Sequence, residues 1–267
     1  MAGGPSEEGI CRARMFPSVA VTARESQRTK HMAGKRAQAR VMRSEARRGR
    51  LQARPPQRPV GEVSERGLLP LKLGAQRDGF LYVPQGYRAG RPLPLGVMLH
   101  GAGGHSRHAL EPWLELADAA GVLLLAPDSR GPTWDLILDD YGPDVAFINR
   151  ALETVFARYA VDPLRVAIEG FSDGASYALS LGIANGDVFT HVVAFSPGFL
   201  APPEQQGQPR LFISHGTADG VLPIEPCSRR IVPRVKQAGY EVRYQEFDGP
   251  HTVPDDIAHE ALDWFLE

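Results

Sequence analysis

Cysteine is nearly missing from this chain: Cys11 and Cys227 are the only two in 267 residues. A disulfide framework is therefore not expected. Long apolar runs are missing too, since none approaches the ~20 residues of a membrane-spanning helix. No secretory signal stands out, because the apolar residues between Met15 and Val21 are few and broken by Pro17 and Ser18. Acidic residues are scarce at the start. Through Val60, 14 Lys and Arg stand against 4 Asp and Glu, whereas the remainder carries 16 against 27, so the net charge of −1 conceals two different materials. The first part has few aromatics and no long apolar face, and such a segment cannot bury enough surface to offset its ordering entropy. Residues 1–66 are expected to form a basic, disordered tail, with a nucleic-acid-binding arm or an organelle presequence as the functional alternatives. The acidic remainder lends no support to a nucleic-acid partner. A soluble, cytoplasmic protein is the default expectation.

From about Gly67 the pattern changes. The hydrophobic fraction of 43% is ordinary for a globular domain. "LLPLKL" and "GFLYVP" read as a pair of strands. "LPLGVMLHG" and "GVLLLAP" are continuous apolar runs, as expected of strands covered on both faces. "ALEPWLELADAA" and "DVAFINRALETVFARY" place apolar residues at helical spacing between them. "RVAIEG", "HVVAFSPG" and "RLFISHG" continue the strands, "SRRIVPRVKQAG" reads as a helix stopped at Gly239, "YEVRYQEF" as an edge strand, and "DDIAHEALDWFLE" as a closing amphipathic helix. No internal repeat is present. Alternating strands and helices predict one α/β domain over 67–267, with a mostly parallel sheet covered by helices on both faces. Ligands of open α/β sheets sit beyond the carboxyl ends of the strands, so chemistry belongs just after each apolar run.

Gly170-Phe-Ser-Asp-Gly174 lies at such a place, after "RVAI" and before "ASYALSLGIA". It fits the G-x-S-x-G nucleophile elbow, in which flanking glycines allow a sharp strand-to-helix turn that exposes the serine. A serine hydroxyl needs a base held by a third group. Of the eight histidines, His31 lies in the tail, His191 opens a strand, His215 ends one and His259 is in the last helix. His251, in "FDGPHTVP", follows the final strand in a tight loop and is the candidate base. Asp219, in "SHGTADGVLP", follows the preceding strand on the same edge; Asp248 is a rival, but only three residues from His251. The order Ser172, Asp219, His251 is that of the α/β-hydrolases. For an oxyanion, the backbone N–H of Asp173 and of Ala102, in "LHGAGG", are the expected donors. That loop lacks the lysine and hydroxyl of a phosphate-binding loop. His100, His105 and His108 have no carboxylate or cysteine pattern to make them a metal site.

Together "LHGAGG", "GFSDG", "HGTADGVLP" and "DGPH" resemble the α/β-hydrolase superfamily. More narrowly they are similar to its small serine esterases, the phospholipase/carboxylesterase group and the intracellular relatives of polyhydroxybutyrate depolymerases. The resemblance covers about Gly67 to Glu267 and implies a hydrolase of short- to medium-chain carboxylic esters, acting through an acyl-enzyme on a small-molecule substrate with no cofactor. A peptidase or thioesterase on the same triad, or a non-catalytic module of the same fold, remains open. Large lids in this superfamily enter after the strand that follows the elbow helix. Here "FSPGFLAPPEQQGQPRLF" leaves only a short link, so no lid domain is expected. Cover would come from "DSRGPTWDLILDDYG", where Trp134 is either a substrate-binding wall of the acyl pocket or core packing beneath the loop.

Overall fold

The computed structural model describes residues 28, 31–32, 40–56, 65–74 and 76–267. The chain divides into two units, Met1–Val41 and Met42–Glu267. In the first, the described residues Arg28, His31, Met32, Arg40 and Val41 are helical.

The second unit is built on one sheet of eight strands: β1 (Gly67–Pro70), β2 (Gly79–Val83), β3 (Leu93–Leu99), β4 (Leu123–Pro127), β5 (Val161–Phe171), β6 (His191–Phe195), β7 (Arg210–Gly216) and β8 (Val242–Phe247). Their spatial order is β1-β2-β4-β3-β5-β6-β7-β8. The β1–β2 and β2–β4 pairs are antiparallel, and every later pair is parallel. The helices are α1 (Ser106–Leu114), α2 (Ala117–Ala120), α3 (Asp135–Leu138), α4 (Pro143–Arg158), α5 (Asp173–Ala184), α6 (Ser228–Gln237) and α7 (Asp255–Leu266).

Side chains alternate across each strand, so the apolar runs feed two layers. Leu95, Val97, Leu99, Val166 and Ile168 face α4, α5 and α6. Met98, Leu124, Ala126, Ala167, Val193 and Phe195 face α1 and α7. Helix α4 starts at Pro143 and buries Val145, Ile148, Leu152 and Val155, the spacing of one helical face. Helix α1 is tied to α7 by Trp113, which stacks on Phe265 at 5.8 Å and donates its indole N–H to the Ala258 carbonyl. The α/β architecture, the edge position of β8, the closing helix and the short β6–β7 link follow the expected pattern. Two details differ. Strand β1 ends at Pro70, and the helix expected through "ALEPWLELADAA" breaks into α1 and α2.

The larger correction concerns the tail. Much of 1–66 lies outside the described residues, but 42–56 do not behave as a tail. Ala46, Leu51 and Ala53 are buried in the layer that holds α4 and α5. Their backbone is pinned by two asparagines: Asn185 accepts from Leu51 N–H and donates to the Gly49 carbonyl, and Asn149 accepts from the N–H groups of Gln52 and Ala53. Arg50 and Arg54 converge on Asp187. The compact unit therefore begins at Met42, not Gly67. Average composition hid the segment because three small or medium apolar residues among arginines suffice to anchor it.

Candidate active site

Ser172 sits between the end of β5 and the start of α5 with φ 58° and ψ −118°. A non-glycine residue in this region is strained, and the surroundings enforce it. Its N–H donates to the Phe195 carbonyl at 2.9 Å. A Cβ on Gly170 would stand 2.2 Å from the Gly174 carbonyl oxygen, and one on Gly174 would stand 2.3 Å from that of Leu99. Both flanking glycines are thus demanded by close backbone approach, as the motif requires.

The loops after β7 and β8 meet at the same edge. Ala218 N–H donates to the Gly249 carbonyl at 3.0 Å, bringing the two loops into register. His251 Nδ1–H donates to Asp219 Oδ2 at 2.6 Å, leaving Nε2 free to take a proton. Asp219 Oδ1 accepts from the N–H groups of Val221 and Leu222 at 2.9 and 2.8 Å. Burial works against the Asp219 charge, but the His251 bond and these two N–H groups outweigh it and hold the carboxyl below its ordinary range. The His251 ring lies 4.6 Å from that of Phe171, the residue before the nucleophile. His251 and Asp219 are therefore brought together, with the residue before Ser172 against the His251 ring, whereas Asp248 makes no contact with His251 among the described bonds.

The loop after β3 runs beside the elbow, where a Cβ on Gly101 would lie 3.5 Å from Ser172 Cβ. The N–H groups of Ala102 and Asp173 have no acceptor among the described residues. His100 is buried and neutral: burial lowers its pKa, its Nδ1–H donates to the Gly101 carbonyl at 2.7 Å, and its Nε2 accepts from Ser129 N–H at 3.0 Å. Gly103 N–H donates to the Pro132 carbonyl at 2.8 Å. Arg77 bridges the carbonyls of Gly104 and Ser129 at 2.7 Å each. Thr133 donates to Asp173 Oδ2 at 2.7 Å. The loop after β4 thus braces the loop after β3 and the Asp173 side chain. Pre-set donors of this kind are what an oxyanion needs.

Comparison with known proteins bears on the fold. No family model matches the chain. It is 31% identical over 157 residues to "Probable feruloyl esterase C" of Aspergillus oryzae, covering 56% of this chain and 57% of the relative. Feruloyl esterase C of Emericella nidulans is 29% identical over the same length and the same shares. The chain spans little more than half the length of these curated relatives. Among solved structures, esterase PE8 superposes with a TM-score of 0.56 at 23% identity, covering 74% of this chain and 97% of that one. A CE1 ferulic acid esterase from Anaeromyces mucronatus, in complex with ferulic acid, gives 0.53 at 21%, covering 70% and 82%. The fold is that of the α/β-hydrolases. The likeness to esterases read from the motifs is carried by these relatives as well.

Within this fold, Trp134 is not where a substrate wall would be. Its side chain is fully buried, with the ring 4.8 Å from His100 and 5.1 Å from Tyr177. Its indole N–H donates to the His100 carbonyl at 2.8 Å. It is core packing beneath the loop after β3, tied to it by the bond to the His100 carbonyl. Sequence reasoning also passed over His215. Its Nε2 stands 2.7 Å from the Leu222 carbonyl and 3.3 Å from Asp219 Oδ2, both acceptors, so this nitrogen carries the proton and Nδ1 accepts from Ser228 at 2.6 Å. It braces Asp219. The four-residue spacing from His215 to Asp219 was the available signal. Among the described residues, no helix is long and apolar enough to cross a membrane, and no group of three or more His, Cys, Asp or Glu is arranged to hold a metal ion.

Proposed function

We propose that this α/β-hydrolase is a carboxylic-ester hydrolase working through an acyl-enzyme at Ser172. The observation that carries the reading is the 2.6 Å bond from His251 to Asp219 at the same sheet edge as the strained serine. Ser172 Oγ attacks the ester carbonyl carbon while His251 Nε2 takes its proton, and Asp219 stabilises the imidazolium. The N–H groups of Ala102 and Asp173 bind the oxyanion. Collapse expels the alcohol, which leaves with the proton from Nε2. Water then attacks the acyl-serine, passing a proton to Nε2, and release of the acid restores the serine. The short β6–β7 link supplies little apolar cover, and a buried methylene contributes ~0.8 kcal/mol only where something encloses it. Short to medium acyl groups are therefore the expected substrates. Relatives named as feruloyl esterases support the ester class.

The test is labelling with a fluorophosphonate probe. Wild type should react, and Ser172→Ala should not while keeping its circular dichroism spectrum. Labelling that persists in Ser172→Ala, or none in folded wild type, overturns the assignment.

A further inference from the structure

A cavity of about 250 Å³ lies between β5 and α1, walled by Gly101 and Ala102 of the oxyanion loop, His108 and Pro112 of α1, and Phe171. A second hollow of about 280 Å³ shares His108, Glu111, Pro112 and Phe171 with it and reaches His251 and Thr252. The two hollows share a wall, one reaching the base and the other the loop after β3, and Phe171, the residue before Ser172, lines both.

Glu169 lines the first hollow. It occupies an odd place for an acid. On its sheet face it lies between Ala167 and Phe171, and Met98 and Val193 are its partners across the strands. It is 1% exposed, and its Oε2 has no hydrogen-bond partner among the described residues. A buried carboxyl kept for structure would show its partner, and leaving one without is costly. Burial, with no partner for Oε2 among the described residues, pushes its pKa well above the usual carboxylate range and favours the neutral form. A neutral carboxyl offers one O–H donor and one C=O acceptor, the complement of a hydroxyl group. No lysine or arginine lines either hollow, and Glu111 and Asp255 add carboxyls to the walls, which disfavours an anionic ligand. Since His251 protonates the leaving oxygen, the hollow that His251 borders belongs to the alcohol rather than the acyl group.

We infer that the two adjoining hollows are a subsite for a neutral, hydroxyl-bearing leaving alcohol, with Glu169 as its specificity-determining residue. The inference rests on the esterase reading for its place in the reaction. It can nevertheless be tested apart from it.

The experiment compares kcat/KM for matched butanoate esters: 2-hydroxyethyl against propyl, 3-hydroxypropyl against butyl, and 4-hydroxybutyl against pentyl. Wild type should favour the hydroxyl member by about tenfold at the length that reaches Glu169, the value of one hydrogen bond in a dry site. Glu169→Met should bring that ratio to about one, and Glu169→Gln should restore part of it. Because Glu169→Met removes an unpaired buried group, its Tm should equal or exceed that of wild type. No hydroxyl preference at any length, a preference that survives Glu169→Met, or a variant that loses Tm and alkyl-ester turnover together overturns the inference. If wild type hydrolyses none of the esters, the functional reading fails. Ligand-observed NMR of 1,4-butanediol then decides the subsite alone: saturable binding lost in Glu169→Met supports it, and equal or absent binding overturns it.

Discussion

Replacing Trp134 by Phe probes how the oxyanion loop is held. The ring is fully buried between His100 and Tyr177, and its N–H meets the His100 carbonyl at 2.8 Å. Phe keeps an aromatic ring but leaves that carbonyl unmet, which costs about 1–3 kcal/mol. The volume lost from a packed site adds about 1 kcal/mol. For a domain of this size the sum lowers Tm by roughly 5–15 °C. The functional consequence is specific. His100 precedes the loop whose Ala102 N–H is the proposed oxyanion donor, so kcat should fall about tenfold, less than the ~10²–10³ of deleting a donor outright. The assay is thermal unfolding together with kcat/KM on p-nitrophenyl esters from acetyl to dodecanoyl. The variant's chain-length profile should run parallel to that of wild type, which is expected to be highest from acetyl to hexanoyl. A profile that changes shape, with its maximum moved to longer chains, would show that the ring meets the acyl group and that the packing argument is wrong.

Asp219→Asn should reduce kcat/KM by about 10⁴, because the amide presents its N–H to Nδ1 and stabilises the wrong tautomer, whereas Asp248→Asn should be mild; the reverse ranking refutes the choice of acid. His191 gives a pH dependence. Burial, then the charge of Arg210, lowers its folded pKa to about 4 from the ordinary 6.5, so the unfolded chain takes the proton first as pH falls. Stability should be lost as pH drops through 6.5 toward 4, by about 2 kcal/mol at pH 5. Asp144, pushed up to about 6 by burial and the neighbouring Asp135, acts oppositely and favours the fold as pH falls through 6. His191→Phe, read by urea unfolding at several pH values, should therefore gain stability between pH 7 and 5 while wild type does not; parallel profiles would count against the assignment. Finally, a chain starting at Gly67 should be less stable than one starting at Met42, and Leu51→Ala alone should cost about 2–5 kcal/mol. Equal unfolding midpoints would return 42–56 to the status of a tail.

The sheet and the sharp turn at Ser172 were legible because both leave strong local marks. Continuous apolar runs such as "GVLLLAP" are read by period alone, and the elbow glycines are required by backbone clashes that no substitution relieves. The tautomer-fixing bond from His251 to Asp219 followed from chain order and from the rule that loops after parallel strands share an edge. What stayed hidden depends on direction rather than type. Trp134 has the same composition signal whether its ring points into the cleft or beneath the loop. His215 looked like the last residue of a strand, because nothing in one dimension shows that its ring returns to Asp219. The 42–56 segment was masked by its arginines, though its anchors, Asn149 and Asn185, lie far along the chain.

The same edge also explains why the domain carries so much rigid support beneath it. Ser172 and Ser196 both hold positive φ, and Ser196 Oγ, Ser214 Oγ and Glu169 Oε2 are buried without partners among the described residues. Each such feature costs on the order of 1–3 kcal/mol and persists only where its neighbours over-determine it. Those neighbours are present: Arg77 ties two loops together, Trp134 donates to the His100 carbonyl and Thr133 to the Asp173 carboxylate, and Ser176 and Ser180 accept from Gly198 and Ala201 N–H across the elbow helix. The serine can be held ready because the strain is local and its supports are spread over four elements. Relieving the unpaired group at Glu169 should therefore keep or raise Tm while abolishing the hydroxyl preference, which makes this position the place where that trade is easiest to measure.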